Sequence, residues 1–122
     1  MSEPLIRTIA MPADANRAGD IFGGWLMSLM DLAAGSAATR RAKGRCSTIA
    51  VDAMQFLRPV LIGDEVSLYA EVIHVGRTSM KIKVSAFRRA RAEALVEEVT
   101  SGTFTFVAID DDRRPRVVPA AD

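Results

Sequence analysis

The 122 residues include one cysteine, one histidine, one tryptophan and one tyrosine. A lone cysteine, Cys46, excludes an internal disulfide framework. With only one histidine to join it, Cys/His metal clusters lack ligands. His74 is the sole imidazole and no G-x-S-x-G elbow occurs, so a Ser-His-Asp triad has little to stand on. Walker A and dinucleotide fingerprints are missing as well. So is charge of one sign: 16 Lys+Arg against 15 Asp+Glu leave a net +1. No basic field invites nucleic acid. The start, Met1-Ser2-Glu3-Pro4, lacks the basic-then-apolar order of a signal peptide, and the cytoplasm is the expected location. A membrane span takes about 20 apolar residues. Between Ile21 and Thr39 the apolar run is broken by Gly23, Gly24, Ser28, Asp31, Gly35 and Ser36. That stretch reads as a helix buried in a protein core, and no membrane partner is expected.

What is present is an ordinary globular composition, 49% hydrophobic and 25% charged. It suits a single domain over residues 1–122, which buries roughly two-thirds of its unfolded surface. Leu5 to Ala10 alternates and reads as a short strand. Met11 to Asp20 is rich in turn formers. A helix is expected from Gly23 or Gly24 to about Arg41, with Arg40, Arg41 and Lys43 suiting its C-terminal dipole and Gly44 stopping it. The period then changes to two. Strands are expected over Ser47–Leu57, Glu65–Val75, Thr78–Phe87 and Leu95–Ile109. Val66, Leu68, Ala70, Val72 and His74 share one face of the second, and Met80, Ile82, Val84 and Ala86 one face of the third. Residues 110–122 form an irregular tail. Turns at Gly63-Asp64 and Gly76-Arg77 imply antiparallel hairpins. The fold class is α+β: a curved antiparallel sheet wrapped around one long central helix that buries its whole circumference. The outer sheet face and the edge strands then need burial or charge, which favours a homo-oligomer.

Asp31 is the most informative residue. It shares a helix face with Gly24, Met27, Ser28, Ala34, Gly35 and Ala38, small side chains that permit close approach. A lone acid in an apolar helix is costly unless paired or hydrogen-bonded, so it marks either a functional carboxylate or a core hydrogen-bond acceptor. Gly23 and Gly24 open the helix, where unpaired amides favour a developing oxyanion. There Asp20 stands in position for a helix cap, the plainer reading of the same segment. His74 reads as a core or interface residue and Cys46 as a structural thiol. Lys81, Lys83, Arg88, Arg89 and Arg91 form a basic strand; most such charges make a solvated face, but a local patch of them has the capacity to hold phosphates.

The run from Met11 through Gly19-Asp20-Ile21-Phe22-Gly23-Gly24-Trp25 to Met30-Asp31 resembles the YciA-type acyl-CoA thioesterases of the hotdog fold. Phe56-Leu57-Arg58-Pro59, Gly63-Asp64, Gly76-Arg77-Thr78-Ser79 and Phe104-Thr105-Phe106-Val107-Ala108 are similar too. The resemblance spans about Leu5 to Pro119. It implies hydrolysis of acyl-CoA to free acid and CoA without a metal or other cofactor. Asp31 matches the catalytic aspartate, and Gly23 and Gly24 the carbonyl-polarising amides. Phe22 stands where many relatives carry histidine. Asp20 and Asn16, in the loop before the helix, are further catalytic candidates. Arg58, Arg77, Thr78, Ser79 and Lys81 match CoA contacts, with Arg88 a further basic candidate. The resemblance also implies a dimer, assembled as a trimer of dimers, with sites between subunits. A non-catalytic acyl-CoA sensor on the same fold is the alternative. A hotdog dehydratase is disfavoured because His74 lies in the wrong element.

Overall fold

The structure, a computed structural model, describes residues 3–122. Strand β1 (Ile6–Ile9) leads through a 3-10 turn (Pro12–Asp14) to helix α1 (Gly23–Ala42). Four long strands follow: β2 (Cys46–Phe56), β3 (Glu65–Val75), β4 (Ser79–Arg89) and β5 (Val96–Ala108). All strand pairs are antiparallel, in the order β1-β3-β4-β5-β2. This is the hotdog arrangement, with the sheet packed around α1. No helix among the described residues is long and apolar enough to cross a membrane.

The helix forms because alanines fill it. Ala33, Ala34, Ala38 and Ala42 are fully buried against the sheet, with Leu26 and Met30. Alanine has the best helix propensity and its short side chain brings the two layers close. From the sheet side, Met80, Ile82, Val84 and Ala86 of β4 are fully buried, as their alternation requires. Arg40 and Arg41 occupy the last turn. Lys43, not Gly44, takes the left-handed conformation that ends the helix (φ 56°, ψ 39°), and the Gly44 amide closes on the Thr39 carbonyl at 3.2 Å.

Three expectations are corrected. The helix does not bury its whole circumference: within one chain Phe22, Met27 and Leu32 are exposed, Leu32 by 63%. The sheet covers one side of a helix and leaves the other to something else. Ala34 and Ala38, grouped above with Asp31, lie on the buried side. Second, the Gly63-Asp64 turn does not make a hairpin. β2 pairs only with β5, at the opposite edge of the sheet from β1. Residues 57–64 cross the end of the sheet and send Val60 into the core. Third, of the two readings of His74 the core one fails and only the interface one is left open: within one chain it is exposed, because a register shift between Val72 and His74 ends the alternation of β3.

The outer sheet face carries the charges of Glu71, Lys81 and Lys83 beside the exposed Ile73. Apolar side chains are uncovered at the sheet edge as well. Edge strand β2 exposes Ile49 by 59%, together with Val51 and Phe56. Residues 110–122 hold no helix or strand, but they are tied down. The Val118 amide donates to the Arg77 carbonyl at 2.9 Å and the Val118 side chain is buried.

Candidate active site

Asp31 is half-buried, on the helix flank that looks toward β2. Its Oδ1 accepts a hydrogen bond from Thr48 Oγ1 at 2.7 Å. A hydroxyl on a carboxylate makes a short, charge-assisted bond that fixes the side chain, and it leaves the second oxygen available. Asp31 and Thr48 line a groove of about 600 Å³ that runs along the helix past Gly35 and Thr39 to Cys46, with Phe106 also in its wall. Thr48 was not among the sequence candidates. It stands 17 positions from Asp31, and no local pattern links a strand threonine to a helix acid. At the far end, burial raises the pKa of Cys46, against the opposing charge of Arg116. This suits a structural thiol, since a reactive one would be shifted down. Another cavity of about 550 Å³, against Tyr69, Glu71, Lys83 and Ser85, is lined by none of the candidate catalytic residues.

The start of α1 is uncapped. Its N-cap residue is Phe22, which makes no side-chain cap bond. The Phe22 amide itself donates to the Asp14 carbonyl at 3.1 Å. Among the described residues the Gly23 and Gly24 amides find no backbone acceptor outside the helix, and a first helical turn offers none inside it. Two donors are thus presented together at the positive end of the helix dipole. The two glycines differ. A Cβ on Gly24 would meet nothing within 4 Å, whereas one on Gly23 would lie 3.2 Å from Phe56 Cε1. Only Gly24 faces open space.

Asn16 and Asp20 belong to the loop that delivers this helix start. Asn16 Oδ1 accepts from the amides of Ala18 (2.9 Å) and Asp20 (3.1 Å), and its own amide donates to the Asp20 carbonyl at 2.8 Å. Asn16 therefore shapes the loop. Asp20 bridges to Leu61, and its carboxylate is not a helix cap. The adjacent Ile21 amide donates to Val60 at 3.0 Å.

Within one chain the basic candidates fall into two groups at opposite ends of the sheet, Arg77 with Lys81 at one and Arg58 with Arg88, which share the Glu97 carboxylate, at the other. Lys81 and Arg88 are seven residues apart on β4, about 23 Å at 3.3 Å per residue. Arg77, Thr78, Ser79 and Lys81 lie at the β3–β4 turn, where Thr78 and Ser79 are half-buried and Arg77 and Lys81 exposed. Arg58 lies at the opposite end, beyond Phe56, which pairs with Thr100. Arg58 is engaged there by Glu97 at 3.3 Å and by the Glu98 carbonyl at 2.6 Å. Arg88 is more committed still. It binds Asp64 through Nε at 2.6 Å and Nη2 at 3.1 Å, and Glu97 through Nη1 at 2.9 Å. Burial pushes the Asp64 carboxyl up. The Arg88 hydrogen bond, the Leu61 amide and the guanidinium charge outweigh it, and the net shift is downward. The Asp64 hydrogen bond is the largest cause of the upward shift of Arg88. Arg88 thus serves the fold, with three of its five N–H donors spent on carboxylates.

The thioesterase superfamily profile matches residues 18–95, which contain α1, Asp31 and Thr48. An uncharacterised acyl-CoA thioester hydrolase of Zymomonas mobilis is 56% identical over 117 residues, covering 96% of this chain and 78% of that protein. The acyl-CoA thioester hydrolase YciA of Escherichia coli is 42% identical over 118 residues, covering 94% and 89%. Among solved structures, an aspartate-to-alanine variant of a hexameric, broad-specificity acyl-coenzyme A thioesterase superposes with a TM-score of 0.95 at 42% identity. It covers all of this chain and 90% of the other. The chain belongs to the thioesterase superfamily, as a hotdog-fold relative of the YciA acyl-CoA thioester hydrolases.

Proposed function

We propose that this protein hydrolyses acyl-CoA thioesters to free acid and CoA in the cytoplasm, in a site shared by two copies of the chain. One observation carries the shared site. Gly23 and Asp31 are eight residues apart on one helix, a rise of about 12 Å. A single thioester carbonyl cannot touch the amides at one point and the acid at the other. A second copy lying antiparallel brings its own helix start to this Asp31. The uncovered apolar surface supports that pairing. Leu32 in the groove wall and Ile49 and Val51 of β2 are exposed, and β2 is an edge strand with an unpaired ladder. Burying a side chain of this size contributes about 1.5–3 kcal/mol. Three such dimers make a hexamer, and the superposed relative with a TM-score of 0.95 is hexameric.

In this arrangement the carbonyl oxygen accepts from the Gly23 and Gly24 amides of one copy, which stabilise the negative charge that develops there. Asp31 of the other copy, held through Oδ1 by Thr48, uses its second oxygen. It takes a proton from the attacking water, or attacks the carbonyl carbon itself to give a mixed anhydride that water then opens. The C–S bond breaks and the thiolate leaves with the electron pair. No strong acid is needed for so good a leaving group. Antiparallel pairing also places the exposed Arg77 and Lys81 of one copy at the same end as Arg58 of the other, a composite surface for CoA phosphates.

Release of free thiol from a panel of acyl-CoAs tests the activity. Binding of CoA without any thiol release would instead support a sensor. Mixing tests the shared site. Chains carrying Asp31→Asn and chains carrying Gly24→Val are each expected to be inactive. Refolded together, they regain activity, because hybrid dimers hold one intact site. A mixture that stays inactive while hybrids form contradicts the shared site.

A further inference from the structure

The two glycines at the helix start answer to different neighbours, and the neighbour of Gly23 is a side chain the reaction has not used. A Cβ on Gly23 would lie 3.2 Å from Phe56 Cε1 and 3.5 Å from Cζ. The first distance is tighter than ordinary contact, so the ring is seated on the bare backbone of the first helical residue. Phe56 is the last residue of β2. The chain just after it is pinned to β5, with the Leu57 amide donating to the Val99 carbonyl at 2.7 Å. A few residues on, Val60 accepts from the Ile21 amide at 3.0 Å, on the segment entering the helix. The ring therefore spans two backbone anchors, the sheet on one side and the helix entry on the other. Within one chain Phe56 is nevertheless 52% exposed and lies outside the buried cluster. Its seat is poorly explained as core packing.

From this contact, and resting on the thioesterase reading above, we infer that Phe56 is a positioning residue. Its ring sets the direction of the Gly23 and Gly24 amides. Gly23 is glycine to admit the ring, and Gly24 is glycine to admit the ligand. Donors aimed at a developing oxyanion must be held to about 0.5 Å and 10–20°. An uncapped helix start has no side-chain bond of its own to supply that. The wedge acts on the transition state more than on substrate binding, so its loss lowers kcat and leaves KM nearly unchanged.

The test uses the assembled full chain with Phe56→Ala, Phe56→Tyr, Gly23→Ala and the Gly23→Ala/Phe56→Ala pair. For each, kcat and KM are measured on one acyl-CoA, together with assembly mass and the amide NMR resonances of the residue 23–24 segment. Phe56→Ala is expected to lower kcat about 10- to 100-fold, the scale of a misplaced catalytic group. It should also shift the Gly24 amide resonance. Phe56→Tyr keeps the ring and most of the rate. Gly23→Ala is impaired, and adding Phe56→Ala restores part of kcat, because the new methyl fills the vacated seat. An unchanged kcat in assembled Phe56→Ala overturns the inference. So does a raised KM at constant kcat, which would make the ring a wall of the substrate site. Strictly additive losses in the pair overturn it too. If the wild type releases no thiol from any acyl-CoA, the thioesterase reading fails. The Gly24 resonance then still judges the contact: unmoved in Phe56→Ala, it refutes the positioning role.

Discussion

Thr48 Oγ1 donates a 2.7 Å hydrogen bond to Asp31 Oδ1, joining the edge strand to the helix at the only acid on that helix. A hydrogen bond to a charged group is worth about 1.5–3 kcal/mol. If it holds the carboxylate in its working rotamer, Thr48→Val costs about 10- to 100-fold in kcat. Thr48→Ser keeps the hydroxyl and most of the rate. Steady-state kinetics on the two variants, at equal assembly mass, check this. Equal rates for Val and Ser would show that the bond serves only the fold.

The Asp64–Arg88 pair is predicted to act on stability. Asp64 is buried and Arg88 mostly so, and removing one partner of a buried pair typically costs about 3–5 kcal/mol. Arg88→Ala should therefore lower the unfolding midpoint strongly while leaving KM for acyl-CoA nearly unchanged in the folded fraction. The sign with pH follows from the lowered pKa of Asp64. Its contribution is fully present above the unfolded carboxyl pKa of about 3.9 and is lost as pH falls through the lower folded value. The stability gap between wild type and variant is thus widest near neutrality and closes in acid. Denaturant melts at several pH values measure it. A gap that stays constant in acid would remove Asp64 as its source.

Arg77 and Lys81 are exposed at the β3–β4 turn. Phosphate contacts far from the reacting carbon hold substrate and transition state alike, so Arg77→Ala and Lys81→Ala raise KM with little change in kcat. Added salt weakens wild-type binding by screening the same charges. Titration of KM against ionic strength checks both. Unchanged KM in both variants would move the phosphates elsewhere.

How far these features could be read in advance depended on how local their causes are. The β4 alternation of Met80, Ile82, Val84 and Ala86 was legible because period two is a property of consecutive residues, and every one is buried. Asp31 stood out because a single acid in an alanine-rich helix is locally anomalous. Thr48 and Phe56 did not, since each gains meaning only from a partner brought close by tertiary packing. The same holds for Arg88. A basic strand residue reads as a phosphate ligand until Asp64, 24 positions away, is seen to accept two of its hydrogen bonds. The hairpin expected at Gly63-Asp64 failed for a topological reason. That turn feeds β3, which pairs with β1 and β4, while β2 sits at the far edge. No short-range signal distinguishes a hairpin from a crossover of this length.

Asp31 is proposed to drive the chemistry, and Asp31→Asn puts that role to the test. Asparagine keeps the size and the oxygen that accepts from Thr48, so the fold and the assembly should be retained with an unfolding midpoint close to that of wild type. It removes the basicity and the nucleophilic charge. General-base assistance is typically worth about 10²–10⁴-fold, and kcat on acyl-CoA, measured per assembled molecule, should fall by at least that order. A folded, assembled Asp31→Asn protein that still releases thiol at near the wild-type rate would contradict the account.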